Sequence, residues 1–153
     1  MKLLPFYRVR FRYPQGWGVG LGSAESAEGQ HFYLAEGTCE GRIQGTFRGA
    51  NHPRRRADGT FEPDFQGVIE TTDGASIFFE YRGYGRAYPA GARQIVGSAT
   101  HLCDHPSYRW LNDSFAVGEG VVKTIREGQV ELVIEWSEVV WEPIPDSALA
   151  NPL

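Results

Sequence analysis

Residues 6–13 read FYRVRFRY, with an apolar or aromatic residue at every odd number from Tyr7 to Tyr13 and an arginine at each even number between them. A period of two is typical of a β-strand with one buried face and one solvated face. Similar short runs between glycine and proline turn signals make up most of the chain. The sequence therefore predicts an all-β fold.

Eight such runs follow one another, and the one helix candidate, residues 23–28, is ended by Gly29. Eight antiparallel strands suffice to close a small barrel, which removes exposed sheet edges. We therefore predict a closed antiparallel eight-stranded barrel with little helix. The predicted strands are 6–13, 31–36, 38–48, 64–72, 75–86, 94–103, 113–125 and 129–142.

The length of 153 residues predicts one domain, with a core at 6–142 and a loose tail at 143–153. The net charge of −4 disfavours nucleic acid and membrane surfaces as partners. The start of the chain lacks a signal-peptide core, because Pro5 and Arg8 interrupt it. We expect a cytoplasmic protein with buried thiols at Cys39 and Cys103.

Two hairpins can be aligned from their turns. A two-residue turn at Asp73-Gly74 would pair Val68 with Phe79 and leave apolar residues on both faces. A strand that is apolar on both faces usually has a covering layer, which here suggests a homo-oligomer contact. The second turn, at 127–128, would place Glu119 on the core face near Trp136.

Glu119 is then a carboxylate on an apolar face, which has to be paired, hydrogen-bonded or protonated. Beside the Trp136 indole its pKa could suit acid–base catalysis. The alternatives are a register wrong by one residue, or a position at the barrel mouth paired with an arginine.

Glu80 and Arg82 share a strand face. Inside a barrel they would anchor a substrate carbonyl or carboxylate. Outside it they would be an ion pair of little energetic value.

The segment at 49–59 ends a strand and forms a loop at the predicted barrel rim. Asn51 and His52 are candidates to contact a ligand there, and histidine titrates near neutral pH. The arginines at 54–56 are either a solvated loop or a site for an anionic ligand.

His101, Cys103 and His105 alternate like metal ligands, but no second pair has zinc spacing. We therefore predict no metal and no cofactor, with His101 as an interior hydrogen-bonding residue. Tyr108, Trp110 and Asn112 either wall a ligand cavity or plug the barrel end.

Glycine occupies every second position from 16 to 22. A phosphate loop would require a preceding strand and a following helix, which the pattern lacks. Close packing or a bend within a strand is the better interpretation.

Several stretches together resemble the domain of unknown function 3237 family of small bacterial barrel proteins. They are GRIQGTFRG at 41–49, TTDGASI at 71–77, RG at 82–83, YRWLN at 108–112 and FAVGEG at 115–120. The resemblance implies a closed antiparallel barrel similar to allene oxide cyclase and dirigent barrels, which steer cofactor-free reactions of small hydrophobic molecules.

Together these observations predict a barrel that binds a small, partly apolar carbonyl or carboxylate compound. Catalysis would be a cofactor-free isomerisation, cyclisation or hydration–dehydration, with Glu119 or Glu80, Arg82 and His52 as the reacting groups. The residues predicted to bind substrate are Asn51, His101, Tyr108, Trp110, Asn112 and Trp136. A non-catalytic carrier or sensor, or a structural module filled by side chains, are the alternatives.

Overall fold

The computed structural model describes residues 1–22, 28–87 and 93–149. The all-β prediction is confirmed, and the predicted helix at 23–28 falls almost entirely outside the described residues. A 3₁₀ helix covers Pro106–Asp113 and a one-turn helix, α1, covers Asp146–Leu149. The strands are β1 (Lys2–Gly20), β2 (Gly29–Gly41), β3 (Gly45–Asn51), β4 (Arg54–Arg55), β5 (Phe61–Glu62), β6 (Asp64–Thr71), β7 (Ser76–Ala87), β8 (Arg93–Leu102), β9 (Phe115–Arg126) and β10 (Gln129–Val140).

All ten strands belong to one antiparallel sheet. Its order is β1-β10-β9-β8-β7-β5-β4-β2-β3-β6, with further pairings of β1 with β2 and of β6 with β7. Each of the eight long strands therefore has two hydrogen-bonded neighbours. The predicted count of eight is corrected to ten because the loop after β3 adds two-residue strands, β4 and β5, which connect β2 to β7 at one end.

The predicted break between the second and third strands is in the wrong place. Gly37 continues β2, where it pairs with Phe11 on one side and Phe47 on the other. A Cβ at Gly37 would lie 3.1 Å from the Phe11 ring, so this glycine makes room for an aromatic side chain. The turn follows Gly41, whose φ of 131° is a backbone conformation that residues with a side chain rarely adopt.

The register predicted for the β6–β7 hairpin is wrong by one residue. The loop contains three residues between Thr71 and Ala75, and Gly74 adopts a φ of 91°. Consequently Phe79 pairs with Gly67 rather than with Val68. The shift moves Val68 out of the core face that Phe79 occupies, because neighbouring positions on a strand point to opposite sides.

The β9–β10 hairpin departs from its prediction for a different reason. Its two-residue turn is as expected, but the register shifts by one directly after it, between Gln129 and Val130. Such a bulge exchanges the two faces of the strand beyond it. Gly118, not Glu119, therefore pairs with Trp136, and Glu119 pairs with Glu135 on the exposed face.

The sheet encloses a core rich in aromatic rings. Phe11 contacts Phe47 and Phe65 at ring-centroid distances of 5.1 and 4.7 Å. The largest fully buried side chains are Trp136, Tyr81, Phe11, Phe47, Phe65, Phe79, Ile43, Ile69, Ile77, Leu111, Leu132 and Ile134. In the part of the chain that the structure describes, no helix is long and apolar enough to span a membrane.

Candidate functional site

One end of the core is covered by the 3₁₀ helix. Leu111 of this helix is fully buried, and the Trp110 ring lies 5.6 Å from Phe6. Arg42 stacks over Trp110, with its guanidinium carbon 4.2 Å from the ring centroid. These contacts close this end of the sheet, so a ligand-binding site is expected at the opposite end.

At the opposite end, β1 and β2 extend as a paired ribbon, Gln15–Gly20 against Gly29–Leu34. The rings of Tyr33 and His31 lie across Gly16 and Gly18, their partners in β1. A Cβ at Gly18 would be 2.6 Å from Nδ1 of His31. Close packing against rings, one of the two interpretations of the glycine spacing, thus explains Gly16 and Gly18.

A continuous row of rings ends on a guanidinium. Tyr13 and Tyr33 lie 5.0 Å apart, and Tyr33 and His31 stack with an interplanar angle of 7°. His31 stacks in turn on Phe61 at 5.7 Å, and the Arg93 guanidinium carbon lies 3.8 Å from the Phe61 centroid. We call these five residues the aromatic–arginine row.

The short strands β4 and β5 position the arginine end of this row. Phe61 pairs with Arg55 on one side and with Gly85 on the other. A Cβ at Gly85 would be 3.3 Å from Cδ of Arg93 and 3.5 Å from Cβ of Phe61. Glycine at this position therefore gives the arginine stem room to lie beside the ring.

Two positively charged residues, Arg55 and Arg93, lie at this end of the sheet. Burial, followed by the proximity of Arg55, lowers the pKa of Arg93, which stays cationic because arginine starts near 12.5. Within the described residues neither Arg55 nor Arg93 forms an ion pair with a carboxylate. The flanking arginines of the loop differ, since Arg54 pairs with Glu28 and Arg56 with Asp58.

The neighbouring groups keep their neutral forms. Burial, and then the charges of Arg55 and Arg93, lower the pKa of His31, so its imidazole is uncharged at neutral pH. Burial raises the pKa values of Tyr13 and Tyr33, which therefore retain hydroxyl protons. The end of the sheet thus offers two cations, an imidazole and two hydroxyl donors.

Asn51 is the predicted ligand-binding residue that the structure places at this end. Its Nδ2 donates to the Tyr13 hydroxyl at 3.5 Å, and its Oδ1 accepts from the Asp64 amide at 3.0 Å. Tyr81, whose pKa is raised by burial and then by Tyr13, lies deeper, and its hydroxyl has no hydrogen-bond partner among the described residues.

The predicted acid–base groups are not brought together. Glu119, Glu80 and Arg82 all point away from the core, which corrects the core-face placement expected for Glu119 and leaves the exterior alternative for Glu80 and Arg82. For Glu119 the cause is the bulge in the β9–β10 hairpin, whereas Glu80 and Arg82 alternate along β7 with the buried Phe79 and Tyr81 and therefore face outward. Arg82 lies 3.4 Å from Asp64 as an ion pair on the outer surface.

His52 is also exposed, on the outer face of the ribbon and not at the row. Its Nε2 is 3.1 Å from Oε1 of Gln30, and its ring meets the edge of Phe32 at 5.9 Å. Asn51 is the last residue of β3 and is buried, whereas His52, directly after the strand, is exposed.

His101 and Trp136 are interior, as predicted, but nearer the covered end. The Nε2 of His101 forms a 2.8 Å hydrogen bond with the Tyr7 hydroxyl, and burial lowers the pKa of His101 to about 4. Nδ1 of His101 and Nε1 of Trp136 have no hydrogen-bond partner in the described part of the chain.

The three remaining predicted residues support the covered end. The Tyr108 hydroxyl donates to Asp73 at 2.8 Å, and Nε1 of Trp110 donates to the Ser107 carbonyl at 3.1 Å. Asn112 brackets Cys103, accepting from its amide at 2.7 Å and donating to its carbonyl at 2.9 Å. These contacts match the plug interpretation of this segment.

Comparison with known proteins identifies the family. A family model described as "Protein of unknown function (DUF3237)" matches residues 1–139 of this chain. The chain belongs to the DUF3237 family. No protein of curated function matches the sequence.

Several solved structures share the DUF3237 chain's fold at low identity. A β-barrel-like protein from Acinetobacter baumannii is 19% identical, with 90% of this chain and 94% of that chain covered, at a TM-score of 0.75. A protein of unknown function from Clostridium acetobutylicum is 15% identical, with 92% and 100% covered, at 0.76. An enzyme from Penicillium herquei is 20% identical, with 90% and 94% covered, at 0.61.

Most residues of the aromatic–arginine row cannot be identified from the sequence alone. The period of two assigns Tyr13 to the inner face of the first strand, but it does not single out His31, Tyr33, Phe61 or Arg93. The available signal is the glycine spacing, because a glycine in a strand often accommodates a ring from the neighbouring strand.

Proposed function

We propose that this protein is a closed eight-stranded barrel that binds a small, partly apolar carboxylate compound at the end formed by the aromatic–arginine row. The circuit of pairings among the eight long strands supports the closed form. The observation that carries the binding site is the half-buried Arg93, stacked on Phe61 and lacking a carboxylate partner among the described residues.

The proposed ligand class follows from the groups at this end. A guanidinium pairs with a carboxylate through two parallel hydrogen bonds, and such pairs are stronger where water is partly excluded. The rings of Tyr33, His31 and Phe61 offer flat apolar surfaces to the rest of the ligand. The positive charge of Arg55 favours an anion over a neutral compound, although the whole chain is acidic.

Because side chains fill the middle of the core, we place the proposed ligand at the end of the barrel. Rings of Phe11, Phe65 and Tyr81 occupy the interior below the row, with Phe65 and Tyr81 stacked at 4.7 Å. A compound of one or two rings would therefore rest on this layer, and its carboxylate would lie at the rim beside Arg93.

A titration with a matched ligand pair tests the proposal. Isothermal titration calorimetry of the wild type should show that benzoate binds at least about tenfold more tightly than benzamide, since a charged hydrogen bond contributes about 1.5–3 kcal/mol. Arg93→Gln should remove that preference. Arg86→Gln, an exposed arginine on the outer face of β7, is the matched control and should keep it. Equal benzoate affinity in Arg93→Gln and wild type would contradict the proposal.

Catalysis at the same end is the second candidate function. His31 is a neutral imidazole near a cation, the combination needed to remove a proton next to a carbonyl while stabilising the resulting negative charge. One solved structure of this fold is an enzyme, which supports catalysis on this scaffold. Isomerisation through an enol and the loss of water from a β-hydroxy carbonyl compound can both begin with such a proton transfer.

Hydrogen–deuterium exchange separates catalysis from binding. With phenylpyruvate in D₂O, wild-type protein should accelerate exchange of the methylene protons above the spontaneous rate, as followed by proton NMR. His31→Gln should abolish the acceleration while retaining phenylpyruvate binding. Binding without accelerated exchange would leave a carrier or sensor as the function.

We also propose that the protein works in the cytoplasm. Cys39 and Cys103 are both buried free thiols, which suits a reducing compartment.

A further inference from the structure

The outer face of β7 carries an ordered set of exposed side chains. At every second position these are Phe78, Glu80, Arg82 and Tyr84, so the order along the strand is apolar, negative, positive, apolar. Phe78 is 63% exposed and Tyr84 is 48% exposed. Large side chains left this open on a sheet face are typical of an interaction surface.

The neighbouring strand β8 repeats the order. Its outward residues are Leu102, Thr100, Ser98 and Val96, which pair directly with Phe78, Glu80, Arg82 and Tyr84. Leu102 and Val96 are 59% and 60% exposed. Both strands therefore have apolar residues at the ends of the set and polar residues in the middle.

This arrangement is self-complementary. A two-fold axis that crosses the strands at Tyr81, in the plane of the contact, turns each strand end for end and brings the two outer faces together. Phe78 then faces Tyr84 of the partner subunit, and Glu80 faces Arg82 of the partner subunit. The same rotation brings Leu102 over Val96 of the partner subunit.

We propose that two copies of this chain form a symmetric dimer through the outer face of β7 and β8, paired by Glu80 and Arg82. The occupant is a second copy because the same sequence order, reversed, matches both the charges and the apolar ends. The interface is of the isologous type, in which each contact occurs twice. This dimer does not depend on the proposed ligand site, which is on the inner side of the sheet at one end.

The charges on this face are available for a partner. In the described part of the chain Glu80 has no ion pair, and the Arg82 side chain is 73% exposed with one 3.4 Å contact to Asp64. A groove of about 680 Å³ beside them is lined by Val68, Phe78, Glu80 and Leu102, among others. In the two-fold arrangement Tyr84 of the partner subunit points toward this groove.

Charge reversal tests the dimer by analytical ultracentrifugation. Wild-type protein should sediment as a dimer at micromolar concentration. Arg82→Glu places four glutamates around the axis, and Glu80→Arg places four arginines there. Each single variant should raise the dissociation constant at least about a hundredfold, because like charges then face each other twice.

The decisive test of the charge pairing is to mix the two single variants. An Arg82→Glu chain and a Glu80→Arg chain have opposite charges at both contacts, so the mixture should form a heterodimer that native mass spectrometry detects. Arg12→Glu and Glu36→Arg, on other strands, are the charge-matched controls and should leave the wild-type dimer intact. Circular dichroism verifies that each variant is folded.

Three outcomes would overturn the proposal. One is a wild-type chain that stays monomeric at 100 µM, and another is a dimer that survives both single reversals. The third is a mixture of folded single variants that forms no heterodimer.

Discussion

The guanidinium of Arg93 lies over the ring of Phe61, with 3.8 Å between its central carbon and the ring centroid. The two residues come from strands that are far apart in the sequence, β5 and β8, and Gly85 of β7 leaves space between them. The ring limits the orientations of the guanidinium, so its hydrogen-bond donors are directed before a ligand arrives. Such pre-organisation reduces the entropy lost on binding.

Replacing Phe61 by leucine should therefore weaken benzoate binding by about tenfold, since a cation–π contact contributes roughly 0.5–2 kcal/mol. Arg93 keeps its charge in this variant but loses its stacking surface. Calorimetric titration with benzoate measures the effect. Phe78→Leu, an exposed aromatic on the outer face, is the control and should bind benzoate as the wild type does. Unchanged affinity in Phe61→Leu would show that the stacking does not orient the arginine.

His101 should make the protein less stable in mild acid. Burial lowers its pKa to about 4, below the value near 6.5 of the unfolded chain, so the unfolded chain takes up the proton first as the pH falls. The neutral buried form is fully compatible with the fold above about pH 6.5. Between pH 7.5 and 5 the free energy of unfolding should fall by about 2 kcal/mol from this group.

Urea unfolding at the two pH values measures this change. His101→Gln, which can keep a hydrogen bond to Tyr7, should lose most of the pH dependence in that window. An equal fall in stability for wild type and His101→Gln would assign the effect to other groups.

Gly118 is expected to tolerate no side chain. The Trp136 ring lies across it from the neighbouring strand, and a Cβ would be 2.7 Å from Cζ3 of that ring. Gly118→Ala should lower the free energy of unfolding by about 1–3 kcal/mol through overpacking. Adding Trp136→Leu should make the alanine less harmful than it is alone, and thermal unfolding of the four variants in a double-mutant cycle provides the measurement. Additive effects would contradict direct contact.

Cys39 should be chemically inert in the folded protein. Burial raises its pKa to about 12, which leaves almost no thiolate at pH 8. Iodoacetamide at pH 8 should therefore modify Cys39 rapidly in urea and very slowly without it, as read by peptide mass spectrometry. Rapid labelling of the native chain would show that the core near Val9 opens readily.

The all-β fold can be predicted from residues 6–13 and similar runs, because arginine alternating with apolar side chains at a period of two would leave a helix without an apolar face. Register cannot be predicted in the same way. One additional residue in the turn after Thr71, or one bulge beyond Gln129, changes which residues of the two paired strands share a face, and neither changes the local pattern. For this reason the sequence pattern predicts Glu119 inside, near Trp136, whereas the structure has it outside.

The candidate site cannot be predicted from the sequence for a related reason. It depends on which distant strands meet, as with Gly16 and Tyr33, or Phe61 and Gly85. The alternating glycines indicate that rings pack there, but only the pairing of the strands shows which rings. Asn51 can be found because it precedes a loop at the rim, and that part of the prediction needs no long-range pairing.

The position of a bound ligand tests the central proposal most directly. Crystals soaked with 4-bromobenzoate would locate the bromine by its anomalous scattering, and the adjoining density would show the carboxylate. We expect the carboxylate within hydrogen-bonding distance of Arg93 and the brominated ring against Phe61 or Tyr33. A carboxylate bound away from Arg93, or no bromobenzoate at this end of the sheet, would contradict the proposed site.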